Sequence, residues 1–109
     1  MNQIVVTGKL QGDPIRLNDE EEPVVRAVFK LVNEEFSPGK GRTQKVTINV
    51  RAEGITGEYV MNELYDSAEV LVVGKYIERR RFVPVASVYK TDRFVGAMIV
   101  SKLDQNDYT

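Results

Sequence analysis

The side chains of this chain that can do chemistry are cations and aromatic rings, gathered in two stretches. Phe36, Lys40, Arg42, Lys45 and Arg51 make up the first, and residues 36 to 51 hold four bases and no acid. Arg79, Arg80, Arg81, Phe82, Tyr89 and Lys90 make up the second, where residues 75 to 93 hold six bases against Glu78 and Asp92. Arg26 and Lys30 add two more bases, four apart and therefore on one side of an extended segment. Bases of this kind neutralise phosphates, and rings beside them give nucleobases a surface to stack on. Phe36, Phe82 and Tyr89 are the candidate stackers. Arg26, Lys30, Lys40, Arg42, Lys45, Arg51, Arg79 and Arg81 are the candidate phosphate contacts, with Arg80 and Lys90 beside them.

Other chemistries are largely excluded by composition. The chain has no cysteine and no histidine, which removes disulfides, thiolate or imidazole metal sites and the Ser/His and Cys/His nucleophiles. Carboxylates come as neighbours in Glu34-Glu35 and in Glu20 to Glu22. Neighbours on a strand point apart and the second run reads as a loop, so neither sets up a metal or acid/base pair. Ser37-Pro38-Gly39-Lys40-Gly41-Arg42 lacks the glycine spacing, the Ser/Thr after the lysine and the following helix of a phosphate loop. A non-enzyme without cofactors is expected. The net charge of −1 conceals a separation, because residues 53 to 69 carry five acids and no base, and acid also dominates 13 to 22. Local potential steers an anionic partner even when the total is near zero. No apolar run reaches the length of a membrane helix, and Met1-Asn2-Gln3-Ile4 shows no basic region before an apolar core. The expectation is a soluble, cytoplasmic protein with no membrane partner.

Alternation positions these groups. Residues 2 to 10 place Ile4, Val6 and Leu10 on one face, with Gly8 marking a bulge or bend where a strand joins two sheets. Residues 23 to 32 place Val25, Ala27, Phe29 and Leu31 inward and Arg26, Val28 and Lys30 outward. Residues 45 to 52 turn Ile48, Val50 and Ala52 inward and Thr47, Asn49 and Arg51 outward. Gly57 to Leu64 is a short helix, capped by Thr56 with Glu58 in its first turn. Glu69 to Tyr76 is a strand, apolar on both faces up to Val73, continued by the basic arm at Arg79 to Phe82. Pro84 makes residues 83 to 92 an edge or projecting hairpin arm rather than a central strand, and Phe94 to Leu103 is a last strand with Gly96 as its bend. Five strands with one short helix between the third and fourth predict an all-β, five-stranded OB-fold barrel with projecting β-hairpins. An SH3-like barrel or a small sandwich uses similar strands, and the helix position favours the first. One domain, residues 1 to 103, is expected, with 104 to 109 a short flexible tail.

Several segments go beyond pattern. Asn2-Gln3-Ile4-Val5-Val6-Thr7-Gly8-Lys9-Leu10 with Asp13-Pro14, then Ala27-Val28-Phe29-Lys30-Leu31, then Ala52-Glu53-Gly54, Glu58, Leu64 and Val70-Leu71-Val72-Val73-Gly74-Lys75 occur in order. Over residues 2 to 103 the chain thereby resembles the bacterial single-stranded DNA-binding protein (SSB) family, whose short relatives include primosomal replication protein N and SSB-like proteins of cyanobacteria and plastids. The resemblance implies sequence-independent binding of single-stranded DNA, as in replication, recombination or repair. It also implies subunits that pair through the first strand into homodimers or homotetramers. The chain departs from the family in having no tryptophan. The third-strand stacking positions fall on Thr47 and Glu53, the hairpin aromatics fall within one residue of Phe36 and Phe82, and Ile48 stands where many relatives have histidine. No residue identifies a reader of the 2′-hydroxyl, so RNA stays open as a ligand. The rival reading is a protein-interaction module, since outward Val5, Val28, Leu71 and Val73 suit a subunit or partner interface.

Overall fold

The computed structural model describes residues 2–37, 39 and 41–103, without the side chains at 35–37, 42 and 43. The elements run in the order β1 (Ile4–Leu10), β2 (Ile15–Arg16), β3 (Arg26–Ser37), β4 (Arg42–Glu53), α1 (Gly54–Glu63), β5 (Glu69–Val83) and β6 (Val88–Lys102). Five of these strands hydrogen-bond in the circular order β1, β3, β4, β6, β5, and β1 closes the ring by pairing with both β5 and β3. The two-residue β2 lies along β3. All neighbours are antiparallel except β4 and β6, which run parallel where Val50 faces Val95 and Arg51 faces Gly96. The chain is therefore mostly β, a closed barrel-like ring with one short helix.

The ring closes because each strand has one apolar face. Ala27, Phe29 and Leu31 of β3, Val50 and Ala52 of β4, Val70 and Val72 of β5, Leu10 of β1 and Val95 of β6 are buried together. Val60 and Leu64, one helical turn apart, and Ala68 join the same core from below. Each large aliphatic side chain fully withdrawn from water here contributes about 1.5–3 kcal/mol. β1 serves two neighbours, lying along β5 from Ile4 to Lys9 and along β3 at Lys9 and Leu10. Gly8 sits at the changeover, where a Cβ would come within 2.8 Å of the Val32 carbonyl oxygen. The bend expected at Gly8 is thus a close backbone approach that no larger residue tolerates.

The helix begins earlier than the sequence predicts. The N-cap is Glu53, which makes no side-chain capping bond, and Thr56 lies inside the first turn. Thr56 Oγ1 instead donates to the Met98 carbonyl at 3.4 Å. Gly54, at φ +65°, turns the chain straight off β4, and its N–H donates to the Val25 carbonyl at 2.9 Å. That bond fixes the start, so Glu58 falls beyond the first turn. The strands also outrun their predicted ends: β3 continues to Ser37, β4 starts at Arg42, β5 runs unbroken to Val83 and β6 starts at Val88. The register irregularity between β5 and β6 lies at Val73/Gly74, where Met98 is the extra residue, rather than at Gly96 itself. Among the described residues no helix is long and apolar enough to cross a membrane. The tail expected at 104 to 109 lies outside the described residues.

Candidate nucleic-acid interface

Residues directly opposite each other in a ladder share a face. Val28 lies opposite Arg51 and Lys30 opposite Asn49, while Ile15 of β2 lies opposite Val28. Because Phe29 and Val50 point into the core, these five side chains point out of the barrel. Gln11 to Leu17 rises on one side of this outer face and Thr91 to Phe94 on the other, enclosing a cleft of about 810 Å³. The loop wall is tied down. Gly12 N–H donates to Asp66 Oδ1 at 2.7 Å and Asp66 N–H to Asp13 Oδ1 at 2.8 Å, fixing the loop to the segment below the barrel. Beyond it, Asn18 Oδ1 accepts from Arg16 Nε at 3.1 Å and from the Arg26 N–H at 3.2 Å.

Two arginines at the cleft floor pack on one ring. Arg51 stacks its guanidinium 4.2 Å from the centre of the buried Phe94 ring, and Arg79 approaches the same ring at 5.6 Å. Such contacts contribute about 0.5–2 kcal/mol and leave the N–H groups of the planar fork free to donate. Among the described residues neither Lys30 nor Arg51 forms an ion pair. Arg93 reaches Glu78 Oε1 at 3.2 Å, and the Tyr76 hydroxyl donates to the same oxygen at 3.0 Å. Desolvation, and after it the hydrogen bond and charge of Glu78, raises the Tyr76 phenol above its ordinary pKa. Asp13 and Asp92 also line the cleft, so its potential is mixed, and Lys30 and Arg51 are its outward cations, while Arg93 turns to the other face of β6 with Glu78.

The remaining predicted residues distribute unequally. Arg26 faces Glu53 at 4.0 Å and Lys45 faces Glu34 at 3.5 Å, exposed pairs that typically contribute about 0–1 kcal/mol and yield readily to a phosphate. Lys45 lies away from the cleft, lining a second depression with Thr7, Lys9 and Glu34. On the β5–β6 hairpin, Phe82 lies opposite Tyr89 and Arg80 opposite Thr91, while Arg81 lies opposite Lys90 and Arg79 opposite Asp92. Phe82 and Tyr89 meet edge to face at 5.2 Å, and Arg80 lies 4.7 Å over the Tyr89 ring. Both rings are largely in solvent, at 50% and 63% exposure. Arg80 is thus the cation that belongs with the rings. Arg81 turns to the other face, where it donates to Asp92 at 2.8 Å, and Arg79 joins the cleft through Phe94. Lys40 lies outside the described residues, as do the side chains of Phe36 and Arg42.

Phe94, Asn49, Arg93 and Ile15 enter the site without having been singled out by the sequence. Alternation alone places Asn49 on the outer face. Phe94 needs the register of β4 against β6, which no local pattern carries. Among the described residues no three carboxylates gather closely enough to hold a metal ion. No family model matches the chain, and no curated protein matches it.

Proposed function

We propose that this barrel is an OB-fold that binds single-stranded DNA without catalysis, across the outer face of β3 and β4. The observation that carries the reading is the position of the cleft. It lies on the second and third long strands, between the loop after the first and the hairpin joining the fourth and fifth, which is where OB-folds hold oligonucleotides. The ring order, the helix between the third and fourth long strands and the parallel β4–β6 contact support the fold assignment. Lys30 and Arg51 supply the phosphate contacts, with Arg79 beside them over Phe94. Phe82 and Tyr89 supply stacking surface in place of the absent tryptophans, and the resemblance to the bacterial SSB family favours DNA over RNA.

The reading includes a homodimer or homotetramer. On the opposite sector of the ring, Val5 lies beside Val73, and Val73 beside Ile99, on the outer face of β1, β5 and β6. Val5 is 61% and Ile99 56% exposed, an apolar surface suited to a second copy. The same surface supports the alternative, a protein-interaction module with little affinity for DNA. Amide chemical-shift mapping with an oligo-dT decides between them. The proposal expects shifts at Val28 to Lys30, Asn49 to Arg51 and Arg93 to Phe94. Unchanged spectra at saturating oligonucleotide contradict it and leave the interaction module.

A further inference from the structure

The β5–β6 hairpin reaches beyond what a single-strand groove requires. Glu78 to Val83 pairs residue for residue with Val88 to Arg93, away from the buried core. The tip is a tight turn in which Ala86 N–H donates to the Val83 carbonyl and Ser87 N–H to the Pro84 carbonyl, each at 3.2 Å. Pro84 has no φ freedom, so the turn is stiff. At its apex Val85 is 99% exposed, and Val88 is exposed just behind it. The stem below carries Arg79, Arg80, Arg81 and Lys90.

An apolar apex on a cationic two-stranded stem is the combination by which proteins enter a base stack. An aliphatic or proline side chain parts two base steps while cations hold the flanking phosphates. A bare single strand has little continuous stack to part and is served by the Phe82 and Tyr89 rings alone. A wedge parts stacked pairs, and the strand-binding cleft at the foot of the stem directs this apex to the point where a single strand meets a duplex. Continuity supplies the geometry, because Arg79 links the stem to Phe94 and Arg51 at the cleft, so a strand lying in the cleft leads to the stem. We propose that the hairpin tip is a wedge for the junction between single-stranded and double-stranded DNA, with Pro84 and Val85 pressed against the terminal base pair and Arg79, Arg81 and Lys90 on its phosphates. This inference rests on the single-strand reading above and extends its substrate to the junction.

Val85→Ser tests it without endangering the fold, since the side chain touches no core. Anisotropy titrations compare an oligo-dT, the same strand extended into a short hairpin duplex, and the blunt duplex, with 2-aminopurine in the terminal pair reporting unstacking. The wild-type protein is expected to bind the junction about tenfold more tightly than the plain strand and to brighten the 2-aminopurine. V85S is expected to lose both effects and to keep its affinity for the plain strand. Equal wild-type affinity for strand and junction overturns the inference, as does a V85S loss of the same factor on both. Val85-dependent flotation with anionic phosphatidylglycerol vesicles, without junction preference, overturns it in favour of a membrane surface. Failure to bind the plain strand counts against the proposed function instead. The junction-to-strand comparison still decides the wedge.

Discussion

Arg51 combines two properties that a phosphate-binding residue needs, a fixed plane and unspent hydrogen-bond donors. Its stacking on Phe94 supplies the first, and the absence of an ion pair to it among the described residues supplies the second. Arg51→Ala is expected to weaken oligo-dT binding and to lower the slope of log affinity against log salt by about 0.7, the release expected for one single-strand phosphate. An unchanged slope would remove Arg51 from the interface. Arg51→Lys keeps the charge without the planar stack, so it is expected to restore the slope and only part of the affinity. Tyr76 gives a second residue-scale test, at the base of the hairpin. Its phenol is held above the ordinary 10.0 by desolvation first and by Glu78 second. A raised folded-state pKa favours the neutral form, so its contribution to stability is complete below the unfolded value and is lost as pH rises through the folded one. Carbon-13 NMR of the ring should place its titration above 10.0, and Glu78→Gln should bring it only part of the way down. Titration at or below 10.0 would show that neither the desolvation nor the Tyr76–Glu78 bond persists in solution.

At the scale of elements, the β5–β6 hairpin separates its chemistry by face. Phe82, Tyr89 and Arg80 lie on one side, and Arg79, Arg81 and Lys90 on the other. Phe82→Ala is expected to cost about 1–3 kcal/mol of binding, the range for one stacked base, with no change in salt slope. Arg81→Ala is expected to lower the slope with a smaller loss of affinity, because Asp92 already competes for that guanidinium. A shift in melting temperature without a binding effect would make Phe82 structural. This division shows how far sequence alone reaches. The inward faces of β3 and β4 are legible because burial imposes alternation, and Ala27, Phe29, Leu31, Val50 and Ala52 are all buried as that alternation requires. Beyond the barrel both faces of the hairpin are wet, so nothing in the hydrophobic pattern marks where β5 ends, although alternation sends Arg79 and Arg81 to one face and Arg80 to the other, as the structure has them. The helix start escapes the local pattern for a related reason. Thr56 has the right chemistry for a cap, yet the Gly54 turn and its bond to the Val25 carbonyl, a contact distant in sequence, set the boundary.

At the scale of the molecule, the ring distributes its surface among three tasks. The sector of β3 and β4 carries the cleft, the β5–β6 hairpin extends one wall of that cleft outward, and the sector of β1 and β5 carries the exposed apolar face that is proposed to receive a second copy. Closing the ring makes these tasks compatible, since the same alternation that fills the core turns Lys30 and Arg51 to one side and Val5 and Val73 to the other. Five long strands with the helix between the third and fourth follow the predicted order, whereas the circular strand order, the single parallel contact and Phe94 beneath Arg51 come only from the long-range pairing. The central claim is that this surface prefers a single strand. Its most direct test is a fluorescence-anisotropy titration of a labelled oligo-dT and of a duplex of the same length, at low and at moderate salt. Tighter binding to the single strand is expected, falling steeply as salt rises, with little dependence on base sequence. No binding of the oligo-dT at low salt, or equal binding of strand and duplex, would contradict it.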